Sequence, residues 1–252
     1  MTITHRRVGT GPNVVFCLPG WFGSSQGWGR WPDLLDHDRR SYVFTDYRGY
    51  GLRRDEPGEH TIDEIAQDTL ALADELGVDR FSLVGHSMGG SAVQRVLSLA
   101  PDRVEKLVGI SPVPASGVPF DDEGWALFSG AAAQDENRAA IIDLTTGNRL
   151  TRRWIDQMVA HSVENSTREA FGDYLKAWAK TDFSSQVADD PVAALAIVGE
   201  HDPALGEDTI NATWKQTYRN AVVQVMPNAG HYAMFETPVA LATSVDAFLD
   251  GA

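Results

Sequence analysis

The chain is expected to fold as one α/β domain: a mostly parallel sheet with helices on both faces and a helical insertion. Three observations predict this. Short apolar runs of strand length alternate with amphipathic helical stretches, the rhythm of βα units. That rhythm breaks once, between about residues 112 and 190, where helical patterns occur without strand runs. The 252 residues, 43% hydrophobic and 22% charged, suit a globular chain with a sizeable core and do not demand two separate domains.

Taken in order, Thr2 to Val8 reads as an edge strand, closed by the turn Gly9-Thr10-Gly11-Pro12. Val14 to Leu18 is a continuous apolar run, the mark of a strand buried on both faces. A glycine-rich loop, Pro19-Gly20-Trp21-Phe22-Gly23-Ser24-Ser25, leaves it. Trp28, Trp31 and Leu34-Leu35 suggest a short helix before the strand Tyr42 to Thr45. The turn Asp46-Tyr47-Arg48-Gly49-Tyr50-Gly51 follows. Thr61 and Glu64 have capping-box spacing, and Ile65, Leu70, Leu72, Ala73 and Leu76 spread along a helix stopped by Gly77. Phe81 to Val84 is a strand, Ala92 to Leu97 has helical spacing, and Val104 to Ile110 is the next strand.

The stretch 112–190 carries helical patterns at Trp125–Ala133, Arg138–Asp143, Arg152–His161 and Arg168–Ala179. It reads as a helical cap over the sheet's carboxyl edge, with residues 1–111 and 191–252 forming the core. Its Trp125, Trp154, Trp178, Phe128, Met158, Phe171 and Tyr174 are core formers as individuals. As a set beside a site, some of them should line a pocket. The strand–helix rhythm resumes with Ala194 to Val198, a helix over Glu207–Tyr218 and a last strand, Val222 to Met226. Glu236 to Leu249 closes the chain as an amphipathic helix with Pro238 in its first turn.

A formal net charge of −14 and a sequence pI near 4.8 oppose phosphate backbones and anionic membrane surfaces, so neither nucleic acid nor membrane is expected as a partner. A small molecule is the expected ligand, and a homo-oligomer is left open. The one cysteine, Cys17, lies in an apolar strand and reads as a small buried hydrophobe. No signal-peptide pattern and no membrane-length apolar run is present, which makes the cytoplasm the default location.

The chemistry concentrates at Gly85-His86-Ser87-Met88-Gly89, a Gly-x-Ser-x-Gly between an apolar strand and a helical run. A nucleophile on so tight a turn adopts a strained backbone, and crowding around it leaves no room for side chains two residues away. The helix that follows aims its free N–H groups and positive dipole end at Ser87. A serine nucleophile needs a base, and the base needs a partner that fixes its tautomer. His5, His37 and His60 lie in polar surroundings, His86 must project away from Ser87, and His161 lies in the insertion. His231 follows the final strand in a Gly-containing loop, and Asp202 likewise leaves a strand at its carboxyl end. Glu200 and Asp208 are fallback acids. The backbone N–H of Met88, and that of Trp21 beside the permissive Gly20, are the candidate oxyanion donors. Trp28, Trp125 and Phe128 are candidate substrate contacts.

These motifs resemble the α/β-hydrolase superfamily. The resemblance rests on Gly85-His86-Ser87-Met88-Gly89-Gly90, Pro19-Gly20-Trp21, Asp46-x-Arg48-Gly49-x-Gly51, Gly199-Glu200-His201-Asp202 and Gly230-His231, and it covers essentially the whole chain. It implies an eight-stranded sheet, a cap between the sixth and seventh strands, a Ser87–His231–Asp202 triad, and no cofactor or metal. It also implies that Asp46-x-Arg48-Gly49-x-Gly51 is a structural turn. One departure stands out: relatives usually carry His-Gly where this chain has Pro19-Gly20, and that imidazole normally props the oxyanion loop.

The fold hosts many chemistries. Serine at the elbow argues against haloalkane dehalogenases and epoxide hydrolases, which use aspartate there. Hydrolysis of a small carboxylic ester or lactone with an apolar or aromatic acyl group leads. Alternatives are a cofactor-free perhydrolase or haloperoxidase, whose active-site dressing Trp21 beside Met88 resembles, a carbon–carbon bond hydrolase, and a non-catalytic ligand receptor.

Overall fold

The computed structural model describes residues 3–251; Met1, Ala252 and Thr2, the first residue of the expected edge strand, lie outside the described residues. Among the described residues the sheet has seven strands: β1 (His5–Val8), β2 (Asn13–Leu18), β3 (Arg40–Thr45), β4 (Phe81–His86), β5 (Val104–Ile110), β6 (Asp190–Gly199) and β7 (Tyr218–Met226). Their spatial order is β1-β3-β2-β4-β5-β6-β7, and only β1 runs antiparallel, against β3. The expected count of eight is therefore corrected to seven. Residues 3–12 hold a single strand and its turn, so the helical insertion falls between β5 and β6 of this sheet.

The inner strands are buried because nearly every residue in them is apolar. Val14 to Leu18 and Phe81 to Val84 have both faces covered, as continuous Val, Leu and Phe runs require. Helix α1 (Ile62–Glu75) packs on α2 (Met88–Leu99), and the C-terminal helix Pro238–Asp250 packs on the short 3₁₀ turn Trp31–Leu34. At the start of α1, the Thr61 hydroxyl accepts from the Glu64 N–H at 3.1 Å. The Glu64 carboxylate reaches past Thr61 to the N–H groups of Glu59 and His60, so the box is displaced by a residue or two.

Four longer helices fill the insertion: α3 (Asp122–Gly130), α4 (Asp135–Thr145), α5 (Arg152–Glu164) and α6 (Arg168–Lys180). Asp121, Thr151 and Thr167 cap α3, α5 and α6 with their side chains. The expected helix over residues 207–218 is instead two pieces, Glu207–Ala212 and Trp214–Thr217, broken at Thr213 (φ −120°, ψ −84°). The last helix is likewise preceded by a separate turn, Ala233–Glu236, because Pro238 cannot donate a backbone N–H. No helix of the described residues is long and apolar enough to cross a membrane.

Candidate active site

Register brings three strand ends to one edge. β4 ends at His86 beside Ile110 of β5, and Ile110 pairs in turn with Ile197 of β6. Ser87 turns out of β4 with φ +52° and ψ −117°, a conformation disfavoured for any residue with a Cβ. Its N–H donates to Ile110 O at 3.0 Å, while its own carbonyl accepts from Gly90 (2.7 Å) and Val113 (2.9 Å). The flanking glycines are obligatory here. A Cβ on Gly85 would fall 2.2 Å from Gly89 O, and one on Gly89 would fall 2.1 Å from Leu18 O. The Ser87 hydroxyl is held by no hydrogen bond among the described residues, which leaves it free for a reacting partner.

His231 Nδ1 donates to Asp202 Oδ2 at 2.6 Å. The carboxylate can only accept, so the proton is on Nδ1 and Nε2 is left as the basic nitrogen. Burial raises the Asp202 carboxyl. The charge and hydrogen bond of His231, with the N–H groups of Leu205 and Ala204, outweigh burial and hold it below the ordinary carboxylate value. Ser87 and His231 line the same cavity without a direct hydrogen bond between them, as unliganded sites of this kind often do. The structure thus brings Asp202 and His231 together. The fallback Glu200 accepts from the Asn228 N–H, and Asp208 belongs to the first turn of the helix Glu207–Ala212.

The main chain of His231 is fixed on every side. Its N–H donates to Thr145 O at the end of α4 (3.1 Å), and its carbonyl accepts from His86 Nε2 (2.9 Å). Burial, then the neighbouring His231, pushes His86 down to about 3, so this imidazole stays neutral with its proton on Nε2. The Glu236 carboxylate accepts from the N–H groups of both residues flanking His231, Gly230 at 2.9 Å and Tyr232 at 3.2 Å. Arg149 from the insertion closes the arrangement, donating to Glu236 Oε2 (2.9 Å), Asn228 O (3.0 Å) and Thr146 O (3.1 Å). Sequence reading missed both residues; the only trace of Glu236 was an acid five positions beyond His231.

The loop Pro19-Gly20-Trp21 abuts the elbow. A Cβ on Gly20 would lie 2.6 Å from His86 Nδ1 and 3.1 Å from Ser87 Cβ. No acceptor among the described residues takes the Trp21 N–H, and the N–H of Met88, the first residue of α2, precedes the first intrahelical bond. The Trp21 indole donates to Phe171 O at 2.8 Å and stacks on the Phe171 ring at 4.1 Å.

The cavity above Ser87 has a volume of about 70 Å³. The insertion contributes seven wall residues, among them Phe120, Phe128, Ile141, Thr145 and Trp178; Trp21, Phe22, Ala204, Leu205 and Tyr232 join Ser87 and His231 in the rest. No Lys, Arg, Asp or Glu lines it. Of the three candidate contacts, Phe128 lines this cavity. Trp28 and Trp125 are corrected. Trp28 is buried in the core against Trp31, Phe44 and His86, and Trp125 stands outside the cavity with the Lys180 ammonium 4.1 Å above its ring. Trp28 follows the glycine-rich loop and Trp125 lies in the insertion, and spacing alone does not say which way a ring turns.

The alpha/beta hydrolase family profile matches residues 14–244, nearly the whole chain. The chain belongs to that family. Among curated relatives, it is 28% identical over 253 residues to the dihydrolipoyllysine-residue acetyltransferase component of the acetoin cleaving system of Pseudomonas putida. The match takes in 96% of this chain but only 64% of that longer protein. It is 27% identical over 244 residues to Esterase YbfF of Escherichia coli, covering 94% of this chain and 92% of the esterase. An esterase from Exiguobacterium antarcticum shares the fold with a TM-score of 0.87 at 18% identity, over 98% of this chain and 94% of the other. Family membership and the esterase relative support reading this chain as a hydrolase enzyme.

Proposed function

We propose that this hydrolase cleaves a small, uncharged carboxylic ester or lactone through an acyl-enzyme on Ser87. The observation that carries the reading is a strained serine with an unengaged hydroxyl, in one cavity with an imidazole whose other nitrogen is committed to Asp202. In the first step, Ser87 Oγ bonds to the acyl carbon as its proton passes to His231 Nε2. The charge on the former carbonyl oxygen is taken by the N–H groups of Trp21 and Met88. Collapse breaks the carbon–oxygen bond, and the leaving alkoxide takes the proton from Nε2. Water then repeats the sequence, releasing the acid.

The wall of the cavity argues for the substrate class. Aromatic and aliphatic side chains dominate it, and with no cation in the lining a substrate carboxylate would be desolvated without a partner. That weighs against carbon–carbon bond hydrolysis of carboxylate-bearing substrates. About 70 Å³ is well short of the ~150 Å³ that holds a benzene in an engineered protein cavity. A short acyl group therefore fits as the site stands, and an aromatic acyl group requires the insertion to give way.

The test is a series of p-nitrophenyl esters from acetate to benzoate, run with the native protein and Ser87→Ala. Turnover highest for the short neutral acyl groups, and reduced roughly 10³-fold or more by the substitution, supports the proposal. Equal turnover by Ser87→Ala overturns it. Peroxide-dependent bromination without ester turnover also overturns it, in favour of perhydrolysis.

A further inference from the structure

Resting on that reading, we propose that Tyr47 and Tyr50 are positioning residues that set the geometry of the oxyanion donor at Trp21. The loop carrying that donor is short of internal support. Pro19 has no backbone N–H to anchor it, and Gly20 has no side chain, since any Cβ there would strike His86 and Ser87. Inside the loop, one hydrogen bond holds the chain, from Gly23 N–H to Gly20 O at 2.9 Å.

Two phenols hold the carbonyls on either side of the donor. Tyr47 donates to Pro19 O at 2.7 Å, and Tyr50 donates to Trp21 O at 3.0 Å. These carbonyls belong to the peptide planes on either side of the plane that contains the Trp21 N–H. Fixing both neighbours fixes the direction in which that N–H points, because each peptide unit turns only about its flanking φ and ψ. Burial raises both phenols well above the ordinary tyrosine value, so they remain donors. Both are fully enclosed, Tyr47 at 3% and Tyr50 at 1% exposure, and both pack on Tyr174 of α6. They occupy the two variable places of Asp46-Tyr47-Arg48-Gly49-Tyr50-Gly51. The rest of that turn is held independently: the Asp46 carboxylate takes the Ser25 N–H and hydroxyl and the Leu52 N–H. Removing either hydroxyl therefore leaves the turn standing.

The experiment uses Tyr47→Phe, Tyr50→Phe and the double variant, which keep the rings and their packing. Hydrolysis of p-nitrophenyl acetate is measured with inhibition by 1,1,1-trifluoroacetone, whose carbonyl carbon bonds to Ser87 Oγ as the hydroxyl proton passes to His231 Nε2, giving a tetrahedral oxyanion. Each single variant is expected to lower kcat roughly tenfold with KM little changed, since an ångström of misplacement costs up to about 100-fold. Affinity for the ketone should fall by the same factor. The double variant should fall further than either single one, with the melting temperature moving by only a few degrees. Unchanged ketone affinity, whatever happens to kcat or to the melting temperature, overturns the proposal. If Ser87→Ala also leaves turnover intact, the hydrolase reading itself has failed. If Ser87→Ala abolishes turnover while both Phe variants keep full ketone affinity, only the positioning role has failed.

Discussion

At the scale of single residues, the candidate site rests on how the Asp202 carboxylate divides its two oxygens. Asp202 Oδ2 is committed to His231 Nδ1, and Oδ1 accepts the N–H groups of Ala204 and Leu205. Asp202→Asn would keep the shape but present an amide that must donate somewhere. If its oxygen keeps the two backbone donors, its NH₂ faces Nδ1 and the imidazole takes the other tautomer, with Nε2 protonated and useless as a base. Replacing the orienting carboxylate by its amide costs a serine triad about 10⁴ in kcat, and a loss of that order is expected here. Ester turnover by Asp202→Asn measured beside Ser87→Ala checks it; activity within tenfold of the native protein would remove Asp202 from the triad. Glu236 acts one step further out, through backbone N–H groups alone. The expected consequence of Glu236→Gln is a slower enzyme with KM retained, because an amide can satisfy only one of the two N–H donors flanking His231.

At the scale of elements, α3, α4 and α6 each contribute side chains to the cavity wall. Phe128 of α3 stacks parallel to Trp21 with 5.9 Å between centroids and forms part of the cavity wall. Phe128→Ala should extend the cavity towards the surface. Relative kcat/KM for butyrate and hexanoate over acetate is then expected to rise severalfold, at a stability cost below the ~3–5 kcal/mol of a fully buried Phe→Ala, since Phe128 is only half-buried. An unchanged chain-length profile would place the acyl group elsewhere. The same elements show what was legible beforehand. Strands β2, β4 and β5 and helices α5 and α6 announced themselves by apolar runs and 3.6-residue spacing, and Ser87, Asp202 and His231 by their places at strand ends. What could not be read was rotation about an axis. Trp28, after the glycine-rich loop, and Phe128, in the insertion, are both aromatic, yet one turns into the core and the other onto the cavity. The break at Thr213 and the separate turn Ala233–Glu236 were hidden because continuous polar–apolar patterning looks the same across a kink. Tyr47 and Tyr50 were visible only as the variable letters of a turn.

At the scale of the whole molecule, burying the machinery of a base makes the fold sensitive to acid. His86 is enclosed and neutral, with its pKa near 3 against 6.5 for an exposed imidazole. His161, hydrogen-bonded to Ser24, is also lowered by burial. As pH falls below about 6.5 the unfolded chain takes up these protons and the native chain does not, so stability falls with pH until the folded pKa is reached. Each such proton tilts the dependence by up to ~1.4 kcal/mol per pH unit. The Asp202 carboxyl, also depressed, adds to the loss in the same direction but only below about pH 4, where unfolded carboxylates protonate. Net charge works against this trend, because the −14 at pH 7 shrinks towards the pI near 4.8 and self-repulsion relaxes. A bare pH profile would mix the two, and a difference between variants separates them. Urea unfolding of native protein and His86→Asn at pH 7.5, 6.5, 5.5 and 4.5 should show the native protein losing stability more steeply, by close to one proton's slope. The asparagine carries no titrating group and can still offer an N–H to the His231 carbonyl. Parallel profiles for the two proteins would mean that His86 takes up its proton at the same pH in the native and unfolded chains, so that below that pH the carbonyl of His231 is held by a cation.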